Sequence, residues 1–169
     1  IMVLERWMLQ VFSGSIDQGY YSLGLRISSI SMLFAGALST LLIREVAVAY
    51  NENESSKVSL IMEKSIKLMY VFVAIIACFV FVFSKDILIL IGGDDYIEGL
   101  LTFQILALYP LHQLYGQYTS SFFLGTGKTK IFRNITIVAG LISLFITWIL
   151  IAPKEYFGMD LGSYGLSLK

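Results

Sequence analysis

Residues 107–130 read ALYPLHQLYGQYTSSFFLGTGKTK and lie in an uncharged run that extends from Gly99 to Gly127. Counted inclusively, the run holds 29 residues (127 − 98). As an α-helix it reaches about 43 Å, more than the roughly 30 Å hydrocarbon thickness of a bilayer. The stretch therefore predicts a membrane-spanning helix, but its proline, histidine and glutamines are unusual at membrane depth.

The composition of the whole chain also favours a membrane protein. Of its 169 residues, 57% are hydrophobic and 14% are charged, and the mean hydropathy is +0.77. Soluble domains carry about 25% charged residues, so this chain has too little charge to cover a surface in water. A formal net charge of zero gives no general attraction to nucleic acid. The single cysteine, Cys78, forms no internal disulfide, and we expect neither a cofactor nor a metal.

Other uncharged runs predict further spans, since each is long enough to cross a bilayer. They extend from Ile27 to Ile43, from Leu68 to Ser84 and from Asn134 to Pro153. We therefore predict an all-α fold, a polytopic transmembrane helix bundle that forms a single lobe over residues 1–169. The expected spans are residues 1–12 (partial), 22–43, 66–84, 99–124, 132–152 and 165–169 (partial).

Charge in the connecting segments predicts the orientation, because short cytoplasmic loops retain Lys and Arg. One side would hold seven basic residues: Arg44, Lys57, Lys64, Lys67, Lys128, Lys130 and Arg133. The opposite side would hold Lys85 and Lys154 beside many acidic residues. The alternation predicts helical hairpins with the basic loops in the cytoplasm.

Polar residues in the 99–124 span follow helical spacing. One stripe contains Tyr109, His112, Gln113, Gly116, Gln117 and Ser120. We expect this stripe to face protein or water, and we expect Pro110 to kink the helix. The alternative is that these side chains only bond neighbouring helices, with about 0.6 to 2 kcal/mol from each bond.

Charged residues at membrane depth are the most informative, since each costs about 2.5 to 3.5 kcal/mol on insertion scales. Glu5 and Arg6 lie in IMVLERWMLQVF, and Arg26 lies in SLGLRISS. We expect Arg6 and Arg26 to line a hydrated cavity that attracts an anionic head group, with Glu5 as a counter-ion or cation site. The alternatives are a structural ion pair and, for Arg26, a side chain that reaches back to the interface.

The order of these features resembles the polysaccharide flippases of the multidrug/oligosaccharidyl-lipid/polysaccharide superfamily, which include O-antigen and related repeat-unit transporters. The acidic–arginine pair at Glu5 and Arg6 is followed by QGYYSLGLRISS, which is similar to the family pattern GxYSLAxRI. IGGDDYIEG resembles the outer-face segment fGxxYxxA, and SSFFLGTGKTK resembles the turn LxGxGKxK.

A final segment, LIAPKEYFGMDLGSYGLSLK, is similar to the family pattern LIPxxGxxGAA. It departs from that pattern in the longer spacing between Pro153 and Gly162, and Ser163 and Tyr164 replace small residues. The resemblance implies a MATE-like six-helix lobe of a two-lobed transporter, with the first lobe outside this chain.

Family members move polyprenyl-diphosphate-linked oligosaccharides between leaflets by alternating access, for surface polysaccharide biosynthesis. The resemblance implies the bacterial cytoplasmic membrane as location, with membrane lipids and the polysaccharide polymerase machinery as partners. It makes Arg6 the first and Arg26 the second candidate for attracting the diphosphate. We add Gln113 and Gln117 as substrate-binding candidates, and Glu5 and His112 as candidates for cation coupling.

Three other functions compete with this interpretation. A drug exporter of the same superfamily would carry acidic cavity residues, whereas the charges at membrane depth here are mostly basic. An integral-membrane glycosyltransferase or acyltransferase would need a catalytic group, and Asp94 and Asp95 lie in a predicted outer loop. A passive scaffold would leave Arg6 without a role.

Overall fold

The computed structural model describes residues 2–168, apart from the side chain of Met2. Ile1 and Lys169, the outer limits of the two partial spans, lie outside this range. Within it the regular structure is helical, which confirms the all-α prediction. The α-helices are α1 (Met2–Ser28), α2 (Met32–Asn51), α3 (Ser55–Val82), α4 (Ser84–Gly92), α5 (Leu100–Ala107), α6 (Tyr109–Gly125), α7 (Thr129–Ile151) and α8 (Gly162–Leu168). Short 3₁₀ turns cover Ser29–Ser31, Asp94–Gly99 and Lys154–Tyr156.

Helix α1 consists of two helical segments that meet at Gly14. Gly14 has φ +90° and ψ 176°, a conformation that L side chains rarely adopt. The first segment carries Glu5 and Arg6, and the second carries Arg26. Leu9 of the first segment packs in one core cluster with Tyr21 and Leu25 of the second. The two segments therefore fold back along each other.

Three helical stretches are long and apolar enough to cross a membrane: Val3–Asn51, Ser55–Val82 and Thr129–Ile151. The predicted 99–124 span is divided at Leu108 into α5 and α6. Pro110 explains this break, because it has no N–H to donate to the carbonyl of Leu106 and its ring crowds the preceding turn. The helix is thus interrupted where Pro110 was expected to act, while a bend at this point and the division into six spans stay predictions.

The core forms where the helices pack in two main groups. Helices α2, α3 and α6 meet around Val46, Val73 and Leu114. Helices α1, α5, α7 and α8 meet around Leu9, Leu106 and Ile151, and a smaller cluster joins the end of α3 to α4 and α5. Many large apolar side chains remain exposed on the outside of the bundle. Such a surface suits hydrocarbon rather than water.

We name the two ends of the bundle by their charge. The basic end comprises residues 44–67 and 125–133, and the acidic end comprises residues 15–20, 92–99 and 153–164. At the basic end, Lys128 Nζ lies 5.6 Å from the centre of the Tyr50 ring. At the acidic end, hydrogen bonds join Tyr20 to Glu98 and Asp17 to Ser163. Segments predicted to share a side therefore lie together, while the orientation of the ends stays a prediction.

Candidate functional site

A buried carboxylate lies where α1, α6 and α7 come together. Glu5 is 7% exposed, and its Oε1 accepts a hydrogen bond of 3.1 Å from the Ser143 hydroxyl of α7. Tyr21 and Tyr109 pack with Leu9, one turn further along α1. Thr147 is buried one turn beyond Ser143 and donates to the Ser143 carbonyl. A buried carboxylate at membrane depth is a candidate to bind a proton or a cation, so the expected coupling role of Glu5 stays a prediction.

Sequence reasoning found Glu5 but missed the hydroxyls around it. Ser143 lies 138 residues further along the chain, in a helix with no motif at that point. Its helical spacing to Thr147 places both on one face of α7, which is the only signal in the sequence that they act together. The contact with α1 depends on tertiary packing.

Arg6 is the neighbour of Glu5 in sequence and presents a different surface. The residue is partly exposed, and its Nε is buried without a hydrogen-bond partner in the described residues. Between residues 2 and 168 the ion pairs join Lys57 and Lys67 to glutamates at the basic end, and none includes Arg6. A buried donor left unpaired costs about 1–3 kcal/mol. Within residues 2–168 the guanidinium takes part in no ion pair, and its expected role in binding an anion stays a prediction.

Gln10, which the sequence analysis did not single out, lies one helical turn after Arg6 and is exposed. Residues four apart share a helix face, so this amide extends the polar surface that Arg6 begins. Arg26 lies in the other segment of α1 and is exposed. Its exposure fits both a hydrated cavity and a side chain that reaches the interface, so its role stays a prediction.

The polar stripe of α6 lies beside the face that packs into the bundle. The packed face contains Pro110, Leu114, Tyr118 and Ser121. On the stripe, His112 and Gly116 are exposed, while Gln113, Gln117 and Ser120 are half-buried. Hydrocarbon offers no partner for amide and imidazole groups. The exposed side of the stripe therefore needs water or protein against it.

Gln117 also approaches α2 closely. A Cβ added to Gly36 would lie 3.5 Å from the Gln117 Nε2. One turn further along each helix, the Ser39 and Ser121 hydroxyls are 2.8 Å apart. These contacts hold the Gln117 end of the stripe against α2 and leave the His112 end more open.

Three of the quoted motifs meet at the acidic end. The Tyr20 hydroxyl donates to the Asp95 carbonyl at 3.3 Å and to Glu98 Oε2 at 3.4 Å. The Tyr164 hydroxyl donates to the Glu98 carbonyl at 3.3 Å. Gly99 has no room for a side chain, since an added Cβ would lie 2.6 Å from the Tyr20 ring. The glycines and tyrosines of these motifs therefore join the acidic ends of α1, α5 and α8.

Long apolar helices that carry polar and charged groups at membrane depth define a multi-pass membrane protein. The family model MatE matches residues 2–149. Since this match covers most of the chain, the protein belongs to the MatE family, within the superfamily that the sequence resembles. Members of the MatE family are membrane transporters rather than enzymes. No curated protein and no solved structure matches the chain.

Proposed function

We propose that this chain is part of a flippase that moves polyprenyl-diphosphate-linked oligosaccharides across the bacterial cytoplasmic membrane for surface polysaccharide synthesis. One observation carries the proposal: Arg6 has a buried Nε without a hydrogen-bond partner in the described residues and takes part in none of their ion pairs. The planar guanidinium can donate two parallel hydrogen bonds, and at membrane depth it is suited to bind the oxygens of a doubly charged diphosphate.

The proposed transport step separates the two parts of the substrate. The diphosphate binds Arg6, with Arg26 as a second cation. Gln113 and Gln117 bond the sugar hydroxyls, because amides both donate and accept hydrogen bonds. The lipid tail stays in the bilayer while the head crosses in a hydrated cleft between this lobe and a first lobe. Rocking of the lobes then exposes the head to the other side.

Glu5 supplies the coupling step in this proposal. Its carboxylate is buried and bonded to Ser143, so a bound proton or cation changes the charge at the contact between α1 and α7. A change of charge at a helix contact shifts the balance between two arrangements of the helices. His112 is a second candidate, since it is exposed on the polar stripe of α6.

Replacement of Arg6 tests the substrate class. In the full-length transporter, Arg6→Ala should lower export of the lipid-linked oligosaccharide by roughly 10- to 100-fold, the equivalent of one charged hydrogen bond of about 1.5–3 kcal/mol. Arg6→Lys should retain part of the activity, because the charge remains and the bidentate geometry is lost. Unchanged export by Arg6→Ala at equal protein level would reject the proposal.

Replacement of Glu5 tests coupling separately. Glu5→Gln keeps the shape of the side chain and removes its charge, so transport should lose its dependence on the cation gradient while substrate binding remains. Glu45→Gln is the matched control, since Glu45 is exposed near the basic end. Gradient-driven transport that survives in Glu5→Gln would exclude this carboxylate as the coupling site.

A drug exporter is the second candidate, and the buried Glu5 favours it because a carboxylate attracts cationic compounds. Such a protein would extrude cationic dyes in a manner that depends on Glu5 and not on Arg6. Dye efflux by Arg6→Ala cells at the wild-type rate, together with normal glycan export, would select this candidate over the flippase.

A further inference from the structure

The segment between α7 and α8, residues 152–161, carries three exposed apolar side chains on a backbone that hydrogen bonds hold in place. Phe157 is 96% exposed, and Tyr156 and Met159 are each 56% exposed. Phe157 has φ +62°, a conformation that costs a bulky residue about 1–3 kcal/mol. Asp160 in the same loop has φ +56°, so the strain belongs to the turn, and the exposure of Phe157 is what points to a surface that it contacts.

Hydrogen bonds hold this loop against the last turn of α7. The amides of Met159, Asp160 and Leu161 donate to the carbonyls of Ile149, Ala152 and Leu150 at 2.7, 3.1 and 3.0 Å. These are the carbonyls that the end of a helix leaves without a partner inside the helix. The loop therefore lies beside the end of α7 rather than extending away from it.

Gly158 makes this close approach possible. A Cβ at this position would overlap the backbone oxygen of Ala152. Only glycine fits between the loop and the helix end, so the loop cannot pack this way with any other residue there. The position of Phe157 is thus determined by its backbone neighbours.

The length of α7 fixes the depth of the loop in a membrane. Helix α7 has 23 residues, or about 35 Å, so its end reaches the border between hydrocarbon and head groups. Because residues 159–161 bond to the last turn, the exposed side chains lie at that border. Aromatic side chains are enriched at this level of membrane proteins.

The loop is also continuous with a lipid-facing surface of α7. Val138, Leu141, Phe145 and Trp148 are exposed at spacings of three and four residues, so they form one apolar stripe. The Trp148 indole N–H donates to the Tyr156 carbonyl at 3.3 Å, which joins the stripe to the loop.

We infer that residues 156–159 form a membrane anchor that inserts Phe157 among the lipids at the head-group border on the acidic side of the bilayer. The loop carries one basic residue, Lys154, and two acidic residues, Glu155 and Asp160, for a net charge of −1. The anchor therefore binds lipid by apolar contact and does not select anionic head groups. It fixes the end of α7 at one depth while other helices move. This inference does not depend on the substrate of the transporter.

Spin-label accessibility tests the anchor in the full-length transporter. The protein, without other cysteines and with Cys78→Ser, carries a nitroxide at Phe157→Cys in vesicles of phosphatidylethanolamine and phosphatidylglycerol. Oxygen, which concentrates in lipid, and a water-soluble nickel chelate are the two probes. We expect oxygen to dominate at position 157, as at the control Phe145→Cys in the apolar stripe, and nickel to dominate at Asp95→Cys.

Two outcomes would overturn the inference. Nickel access at position 157 equal to that at position 95 would place the loop in water. Exclusion of both probes would show that another protein surface covers Phe157. The same label at Met159→Cys keeps the test valid if Phe157→Cys does not fold.

A second variant tests the fixed backbone. Gly158→Ala must displace the loop from the end of α7, so the label at position 159 should lose its excess of oxygen over nickel while the label at position 145 keeps it. An unchanged label at position 159 would contradict the proposed attachment of the loop.

Discussion

The acidic and basic ends of the bundle are held together in different ways. At the acidic end, side chains from distant parts of the sequence bond to one another, as Tyr20 does to Glu98 and Asp17 does to Ser163. At the basic end, the ion pairs of the described residues are local, within five positions along the chain. There the first half of α7 is largely exposed. The acidic end is therefore joined by hydrogen bonds between distant segments. The basic end combines local ion pairs with ring contacts, in which Lys128 lies over Tyr50 and Phe123 stacks on Phe132 of α7.

The two ends should differ most in their accessibility from outside the cell, because an impermeant reagent either reaches a loop or does not. In a Cys78-free background, Asp94→Cys should react with an impermeant thiol reagent added to intact cells, and Lys130→Cys should not. Permeabilised cells provide the control, since both positions should then react. The reverse pattern would place the basic end outside and contradict the orientation inferred from charge.

Glycine packing at the acidic end should give the next largest effect. Gly99→Ala places a Cβ against the Tyr20 ring, which must move, and we expect a loss of about 1–3 kcal/mol in unfolding free energy. Gly116→Ala is the matched control, because nothing lies near an added Cβ there. Because Gly116 lies inside a helix, its replacement by Ala should raise the unfolding free energy by about 0.5–1 kcal/mol. Thermal unfolding in detergent measures the stability of both variants. Equal effects would show that Gly99 is not packed more tightly than Gly116.

Loss of a single hydrogen bond at the acidic end should lower the unfolding free energy less than Gly99→Ala does. Tyr164→Phe removes the donor to the Glu98 carbonyl and should cost about 0.5–1.5 kcal/mol. Tyr115→Phe is the comparison, since Tyr115 on α6 is exposed and its hydroxyl makes no hydrogen bond within residues 2–168. No difference between the two variants in thermal unfolding would show that the contact at Glu98 does not hold α8.

Ion pairs at the basic end should give the smallest effect. Lys67 and Glu63 form an exposed pair four residues apart, and solvent and salt screen such pairs. Lys67→Ala should therefore change thermal unfolding less than Tyr164→Phe does, and added salt should abolish the change. A larger and salt-resistant effect would contradict the assignment of Lys67 and Glu63 as a screened surface pair.

Much of the fold follows from the sequence because hydropathy and proline act locally. The uncharged runs indicated the helices, and Pro110 indicated the break that the structure shows at Leu108. The interruption of α1 at Gly14 was not predicted, since a glycine alone does not reveal whether its φ is positive. Local patterns thus set the elements but not every reversal of the chain.

The candidate site was predictable only in part. Arg6 and Glu5 are conspicuous because charge is costly at membrane depth. The partner of Glu5 was not predictable, because Ser143 reaches it through the packing of two helices that are 138 residues apart in sequence. The meeting of Tyr20, Glu98 and Tyr164 likewise depends on how the ends of three helices come together.

Flipping by purified protein in vesicles tests the role of Arg6 most directly. The full-length transporter is reconstituted with a polyprenyl-diphosphate-linked oligosaccharide, and the fraction of head groups that becomes accessible on the other side is followed with time. We predict flipping by the wild-type protein, a rate roughly 10- to 100-fold lower for Arg6→Ala and an intermediate rate for Arg6→Lys. Equal rates for the wild type and a correctly inserted Arg6→Ala would contradict a role for this guanidinium in binding the diphosphate.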